Sequence, residues 1–162
     1  MGTRKIAVRI GRGLLAPGLT ALLLLVPSIS AAELPKTPEA MMGEIRTAIE
    51  TRDYDALKDL VFWKGAGKIK KRIVRFTLYR ALGRKIKSIT WEDIPADGFD
   101  ALIATGKLAP NMEMRHAVRV VFDEEPLPKT GKQPTSVFPV GKRDGVYRIG
   151  LVNRAGPDDD GD

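Results

Sequence analysis

From Thr37 onwards in this chain of 162 residues, the spacing of the apolar residues changes near Gly83. Before Gly83, apolar residues recur every three or four positions, as they do along one face of a helix. After it, they alternate with polar residues, which is typical of strands that bury one face. A block of helices followed by a block of strands predicts an α+β domain, with N-terminal helices packed on an antiparallel sheet.

The first 32 residues have the three-part layout of a secretory signal peptide. Basic residues at 4–12 precede an apolar run at 14–29, and small residues follow for cleavage after Ala32 or, alternatively, after Ser30. The run is shorter than the ~20 apolar residues of a membrane span, and a lipoprotein would need a cysteine. We therefore expect a periplasmic or secreted protein, with an uncleaved anchor as the alternative.

Cleavage would leave 33–162, enough for one domain with one core. We expect an extended leader at 33–36, a single α+β domain at 37–155 and a disordered acidic tail at 156–162. The mature chain would carry 23 basic and 20 acidic residues, a net charge of +3. Four aspartates lie in the tail, so the body before it would be more basic, at +7. The absence of cysteine excludes disulfides, thiol catalysis and thiolate metal sites.

Local signals predict where the elements begin and end. Thr37 with Pro38 is typical of a helix start, and Asp53 of a second one. A third helix is expected over 68–82, ended by Gly83, with Ile69, Ile73, Phe76 and Tyr79 able to share one face. Strands are expected at 87–93, 99–107, 112–122, 136–140 and 146–152, with a turn at 108–111, a loop at 124–133 and an Asp-Gly hairpin signal at 144–145.

Two stretches are similar to the superfamily of nuclear transport factor two, the ketosteroid isomerases and the polyketide-cyclase-like proteins. AIETRDYDALKDLV (48–61) resembles its opening helices, and FPVGKRDGVYRIGLV (138–152) resembles its closing hairpin. The resemblance implies a cone-like fold, in which a curved sheet wraps around a helix and leaves an apolar pocket; some members catalyse there, and many bind or dimerise. The carboxylate and tyrosine of the isomerases cannot be matched to positions here, and the basic helix at 68–82 and the loop at 124–134 depart from the pattern.

His116 is the one histidine and the one catalytic candidate. It falls on the apolar side of the strand expected at 112–122. A core or sheet-edge histidine bonded to the backbone is the simpler interpretation, and a pocket enzyme that uses His116 as acid or base is the alternative. No second catalytic group can be assigned, so we expect a binding protein rather than an enzyme, without metal or cofactor. The candidates for lining a ligand pocket are Trp63, Phe76, Met114, His116, Phe122 and Tyr147.

Residues 64–87 contain ten basic residues and no acidic one. Such a surface attracts polyanions, for example anionic lipids, cell-wall polymers or an acidic protein. A solvated face neutralised by acids from elsewhere is the simpler interpretation. Nucleic acid fits the charge but is not expected after export. The candidates for a polyanion-binding surface are Lys68, Lys70, Lys71, Arg72, Arg75, Arg84 and Lys85.

The leading hypothesis from sequence is therefore an exported domain that binds an apolar small molecule or a partner, with a homodimer among the partners. The alternative is an envelope-surface interaction protein that uses the basic residues at 64–87. Salt distinguishes the two, because surface association weakens steeply above ~0.15 M salt and apolar binding does not.

Overall fold

A computed structural model of the chain describes residues 33–95, 100–101, 103–106 and 108–154. The expected signal peptide at 1–32 and the expected tail at 156–162 lie outside the described residues. Helices come first and strands follow, which confirms the α+β class. In chain order the named elements are α1 (Pro38–Glu50), α2 (Tyr54–Asp59), α3 (Lys68–Ala81), β1 (Ile86–Asp93), β2 (Leu108–Pro110), β3 (His116–Phe122), β4 (Thr135–Arg143), β5 (Val146–Ile149) and β6 (Val152–Arg154).

The first two helices begin at the predicted capping residues. The side chain of Thr37 accepts a hydrogen bond from the backbone N–H of Ala40 at 3.2 Å, and Asp53 accepts one from Ala56 at 2.9 Å. Each bond satisfies an amide that the first helical turn leaves without a partner. The third helix ends as predicted, since Gly83 adopts a φ of 71° that suits glycine better than other residues.

The main sheet is antiparallel, with strand order β1-β3-β4-β5, and β2 pairs with β6 in a separate two-stranded sheet. The hairpin between β4 and β5 turns through Asp144 and Gly145, which have φ values of 51° and 81°. Two consecutive positive φ values are the geometry of a type I′ turn, which the Asp-Gly pair favours. The predicted hairpin is therefore confirmed.

One face of the main sheet packs against the helices. Val118 and Phe122 on β3 are fully buried there, and the register places Trp91 and Phe138 beside Val118 on the same face. Arg119 points to the other face, so the alternation predicted for this strand is confirmed. The helices contribute Met41, Ile45, Ala48, Ile49, Leu57, Leu78 and Ala81 to the same core.

Four local predictions were wrong. The strand expected at 146–152 ends at Ile149, and Val152 begins β6 in the other sheet. Residues 100–101 and 103–104, within the strand expected at 99–107, are helical. The turn expected at 108–111 contains the strand β2, because it pairs with the distant β6. The strand expected from Met112 begins only at His116. The segment before it instead crosses close to Gly141, where a Cβ atom would lie 1.9 Å from the carbonyl oxygen of Glu113.

Candidate functional site

Helix α3 has two apolar faces, and only one of them is buried. Leu78 and Ala81 face the core, with Val74 packed at its border. The other face holds the apolar residues that the periodicity had grouped together. It lies in solvent: Ile69, Ile73, Phe76 and Tyr79 are 58%, 56%, 63% and 69% exposed.

Basic residues lie between these exposed apolar side chains, and α3 contains no acidic residue. Arg80 holds its guanidinium 5.8 Å from the centre of the Phe76 ring, and Arg75 lies 5.9 Å from the ring of Trp63. We call the exposed set the outer face of α3; it comprises Lys68, Ile69, Arg72, Ile73, Arg75, Phe76, Tyr79 and Arg80.

Two of the seven candidate cations are neutralised by acids from elsewhere in the fold. Arg84 makes a bidentate bond with Glu124, at 2.6 and 2.7 Å, and lowers the pKa of that carboxyl group. Lys85 lies 2.6 Å from Asp123 and lowers the pKa of Asp123 in the same way. Within the described part of the chain, the other five have no carboxylate within ion-pair distance: Lys68, Lys70, Lys71, Arg72 and Arg75.

Amide side chains anchor the start of α3 to the rest of the fold. Asn111 donates to the backbone carbonyls of Phe62 and Lys64, at 2.5 and 3.1 Å, and its own side-chain oxygen accepts from Leu151 at 2.8 Å. Asn153 donates to the carbonyl of Gly65 at 2.9 Å. Because these bonds hold the segment before α3 and the core holds Leu78, the outer face is presented on a fixed helix.

A second cluster surrounds His116 at the end of β3. Its Nδ1 lies 2.8 Å from a carboxylate oxygen of Asp93, and its ring centre lies 4.9 Å from that of Trp91. Trp91 in turn meets Tyr147 edge to face at 5.2 Å. The His116 side chain is 34% exposed and borders a depression of about 260 Å³ with Tyr147 and Lys142.

The carboxylate beside Nδ1 favours an orientation of the imidazole in which Nε2 is the nitrogen turned away from Asp93. Sequence reasoning missed Asp93, because this contact is made across the β1–β3 register and not along the chain. No serine, threonine or cysteine is among the residues lining that depression. The pair therefore resembles an orienting dyad without a serine, threonine or cysteine nucleophile beside it.

The structure separates the six residues that were expected to share one pocket. His116 and Tyr147 border one depression, Met114 a second and Phe76 a third. Phe122 is fully buried in the core, with the guanidinium of Arg84 3.7 Å from its ring centre. Trp63 packs against the core border, and its indole N–H donates to the carbonyl of Lys58 at 3.0 Å.

Across the described ranges, no group of three histidine, aspartate or glutamate side chains is arranged to hold a metal ion. Nor does any helix in these ranges have the length and apolarity needed to cross a membrane. Comparisons of the chain with protein-family models, with curated proteins and with solved structures find no match.

Proposed function

We propose that this protein binds the surface of anionic lipid membranes, with the outer face of α3 lying in the headgroup layer. The observation that carries the proposal is the mixture, on one face of one helix, of exposed apolar side chains and cations that form no ion pair with the described residues. Helices of this composition lie in the plane of the membrane interface. Their apolar side chains insert below the headgroups, and their cations contact anionic lipids.

The contributions are large enough to produce binding. Three apolar side chains on this face, Ile69, Ile73 and Phe76, are each more than half exposed. Burying the exposed part of each contributes roughly 1–1.5 kcal/mol. Basic residues near an anionic surface contribute about 1 kcal/mol each. With the four cations of this face the sum is roughly 7–8.5 kcal/mol, and subtracting at least ~4 kcal/mol for the free motion lost on binding leaves an affinity on the order of millimolar in lipid.

Other occupants of this face are less compatible with its composition. A second copy of the chain would bring Arg72 and Arg75 against the same cations, and like charges repel. Nucleic acid could pair with the cations, but its polar backbone gives Ile69 and Ile73 nothing apolar to bury against. An acidic protein would need an apolar groove of matching shape. A lipid surface supplies both the negative charge and the apolar layer.

The proposal is compatible with the export expected from residues 1–32, since membranes outside the cytoplasm also contain anionic lipids. It narrows the partner-binding hypothesis to one kind of partner. Membrane binding through α3 does not require a cone-like pocket. That pocket stays a prediction from the resemblance to the superfamily of nuclear transport factor two.

Charge reversal on α3 tests the proposal without weakening the helix. The helix variant carries two substitutions, Lys68→Glu and Arg72→Glu. The substitution at position 68 places an acid in the first turn of α3, where the helix dipole favours negative charge. The control variant, Lys129→Glu with Lys132→Glu, alters net charge equally in the exposed loop after β3. Binding is measured by co-sedimentation with vesicles of phosphatidylglycerol and phosphatidylcholine, and with vesicles of phosphatidylcholine alone.

We expect the wild type and the loop variant to bind the anionic vesicles at low salt and to dissociate in 0.5 M salt. The helix variant should bind at least tenfold more weakly. Equal binding by the two variants would refute the role of α3. Binding to neither type of vesicle, together with a dimer in sedimentation velocity, would assign the face to a second copy instead.

A further inference from the structure

An apolar groove of about 410 Å³ runs alongside α3, separate from the outer face except at Ile73. One wall is formed by α3, through Ile73, Thr77 and Leu78, and the other by β4 from Thr135 to Pro139. No residue of the pocket predicted from the sequence lines this groove. It arises from contacts between elements distant in the chain, which local patterns do not encode.

The groove exists because β4 is longer than its neighbour β5. The register pairs β5 only with Val140–Arg143, so among the described residues Thr135–Pro139 have β3 on one side and no paired strand on the other. Helix α3 lies along that open side. Thr77 is small, and it leaves space at the position where a larger side chain would meet β4.

One cation, Lys70, is among the residues that line the groove. Lys70 lines one end and donates a hydrogen bond to the carbonyl oxygen of Val152. An ammonium group has three N–H donors, so two remain for an anion at this end. At the other end, Thr77, Thr135 and Ser136 also border a depression that contains Arg80. Apolar walls with a cation at the rim match a ligand that has one apolar chain and one anionic group.

We infer that this groove binds a fatty acid, with the acyl chain between α3 and β4 and the carboxylate at Lys70. The volume falls within the roughly 300–1,000 Å³ typical of sites for small ligands. A carboxylate can accept hydrogen bonds from the two N–H donors of the Lys70 ammonium group that Val152 does not use. The inference does not depend on the proposed membrane function, because a fatty acid dissolved as a monomer in water is a sufficient ligand.

The test uses isothermal titration with dodecanoate, below the concentration at which it forms micelles and without vesicles. Thr77→Trp places a bulky ring in the groove from a position that is exposed. Tyr79→Trp is the matched control, since it adds the same ring on the same helix outside the groove. Ser136→Trp fills the groove from the opposite wall, because Ser136 pairs with the buried Val120 and therefore lies on the sheet face that packs against the helices. Circular dichroism checks that each variant folds.

We expect the wild type and Tyr79→Trp to bind dodecanoate alike, and both groove variants to bind about tenfold more weakly or not at all. Lys70→Gln should weaken dodecanoate several-fold while leaving the uncharged dodecyl maltoside unaffected. Dodecanoate binding that survives both groove variants, or no binding by the wild type, would overturn the inference.

The two proposals fail separately. The charge-reversed helix variant described above should lose vesicle binding and keep dodecanoate binding, because neither of its substitutions lines the groove. Thr77→Trp should lose dodecanoate binding and keep vesicle binding. Loss of both activities in both variants would show that one shared site had been mistaken for two, and would overturn the fatty-acid groove as a separate site.

Discussion

Replacing Phe76 by serine should weaken membrane binding by about tenfold without destabilising the fold. Phe76 is 63% exposed in the free protein, so that fraction of the side chain remains to be buried in lipid. Full burial of a phenylalanine side chain contributes about 2–3 kcal/mol, and the remaining fraction roughly 1.5 kcal/mol. A change of ~1.4 kcal/mol corresponds to a tenfold change in the binding constant.

The assay is a titration of each variant with phosphatidylglycerol vesicles of increasing concentration, followed by co-sedimentation. The control is Val146→Ser, which also replaces an apolar side chain by serine, at a half-buried position on the β4–β5 hairpin. Thermal unfolding should be nearly unchanged in Phe76→Ser, since that ring makes little contact with the core. Vesicle binding within about twofold of the wild type would refute insertion of Phe76.

Three further predictions concern the fold and the second cluster. Gly141→Ala should lower the free energy of unfolding by about 2 kcal/mol or more in urea titrations, because its new Cβ would overlap the carbonyl of Glu113. Arg119 lowers the pKa of Glu92 by hydrogen bonding, so their ion pair stabilises the fold above about pH 4.5 and loses that effect as the pH falls through the lowered pKa. Arg119→Gln should therefore reduce the loss of stability that urea titrations measure between about pH 5 and pH 3. Asp93→Ala should change the unfolding free energy by less than about 0.5 kcal/mol, because this carboxylate is 86% exposed; a larger loss would make the contact structural.

Features set by residues three or four apart could be predicted from the sequence. The caps at Thr37 and Asp53 depend on hydrogen bonds between residues three positions apart. The turn at Asp144-Gly145 depends on two adjacent residues. These signals are contained within a few positions of the chain, so the structure agrees with them.

Features set by partners distant in the chain could not be predicted. Helix α3 has apolar residues at helical spacing on two faces, and the sequence does not say which face meets the core. The structure buries Leu78 and exposes Phe76. Strand β2 forms only because β6 lies beside it, although Pro110 would normally count against a strand. The contact between Asp93 and His116 depends on the register of two strands.

The depth at which each residue of α3 sits in the membrane tests the central proposal most directly. The chain contains no cysteine, so a single introduced cysteine carries a polarity-sensitive fluorophore at one defined position. We predict that probes at Ile69→Cys and Phe76→Cys shift to the blue when phosphatidylglycerol vesicles are added, while a probe at Lys129→Cys does not. Shifts of equal size at all three positions, or none at Ile69→Cys and Phe76→Cys, would contradict it.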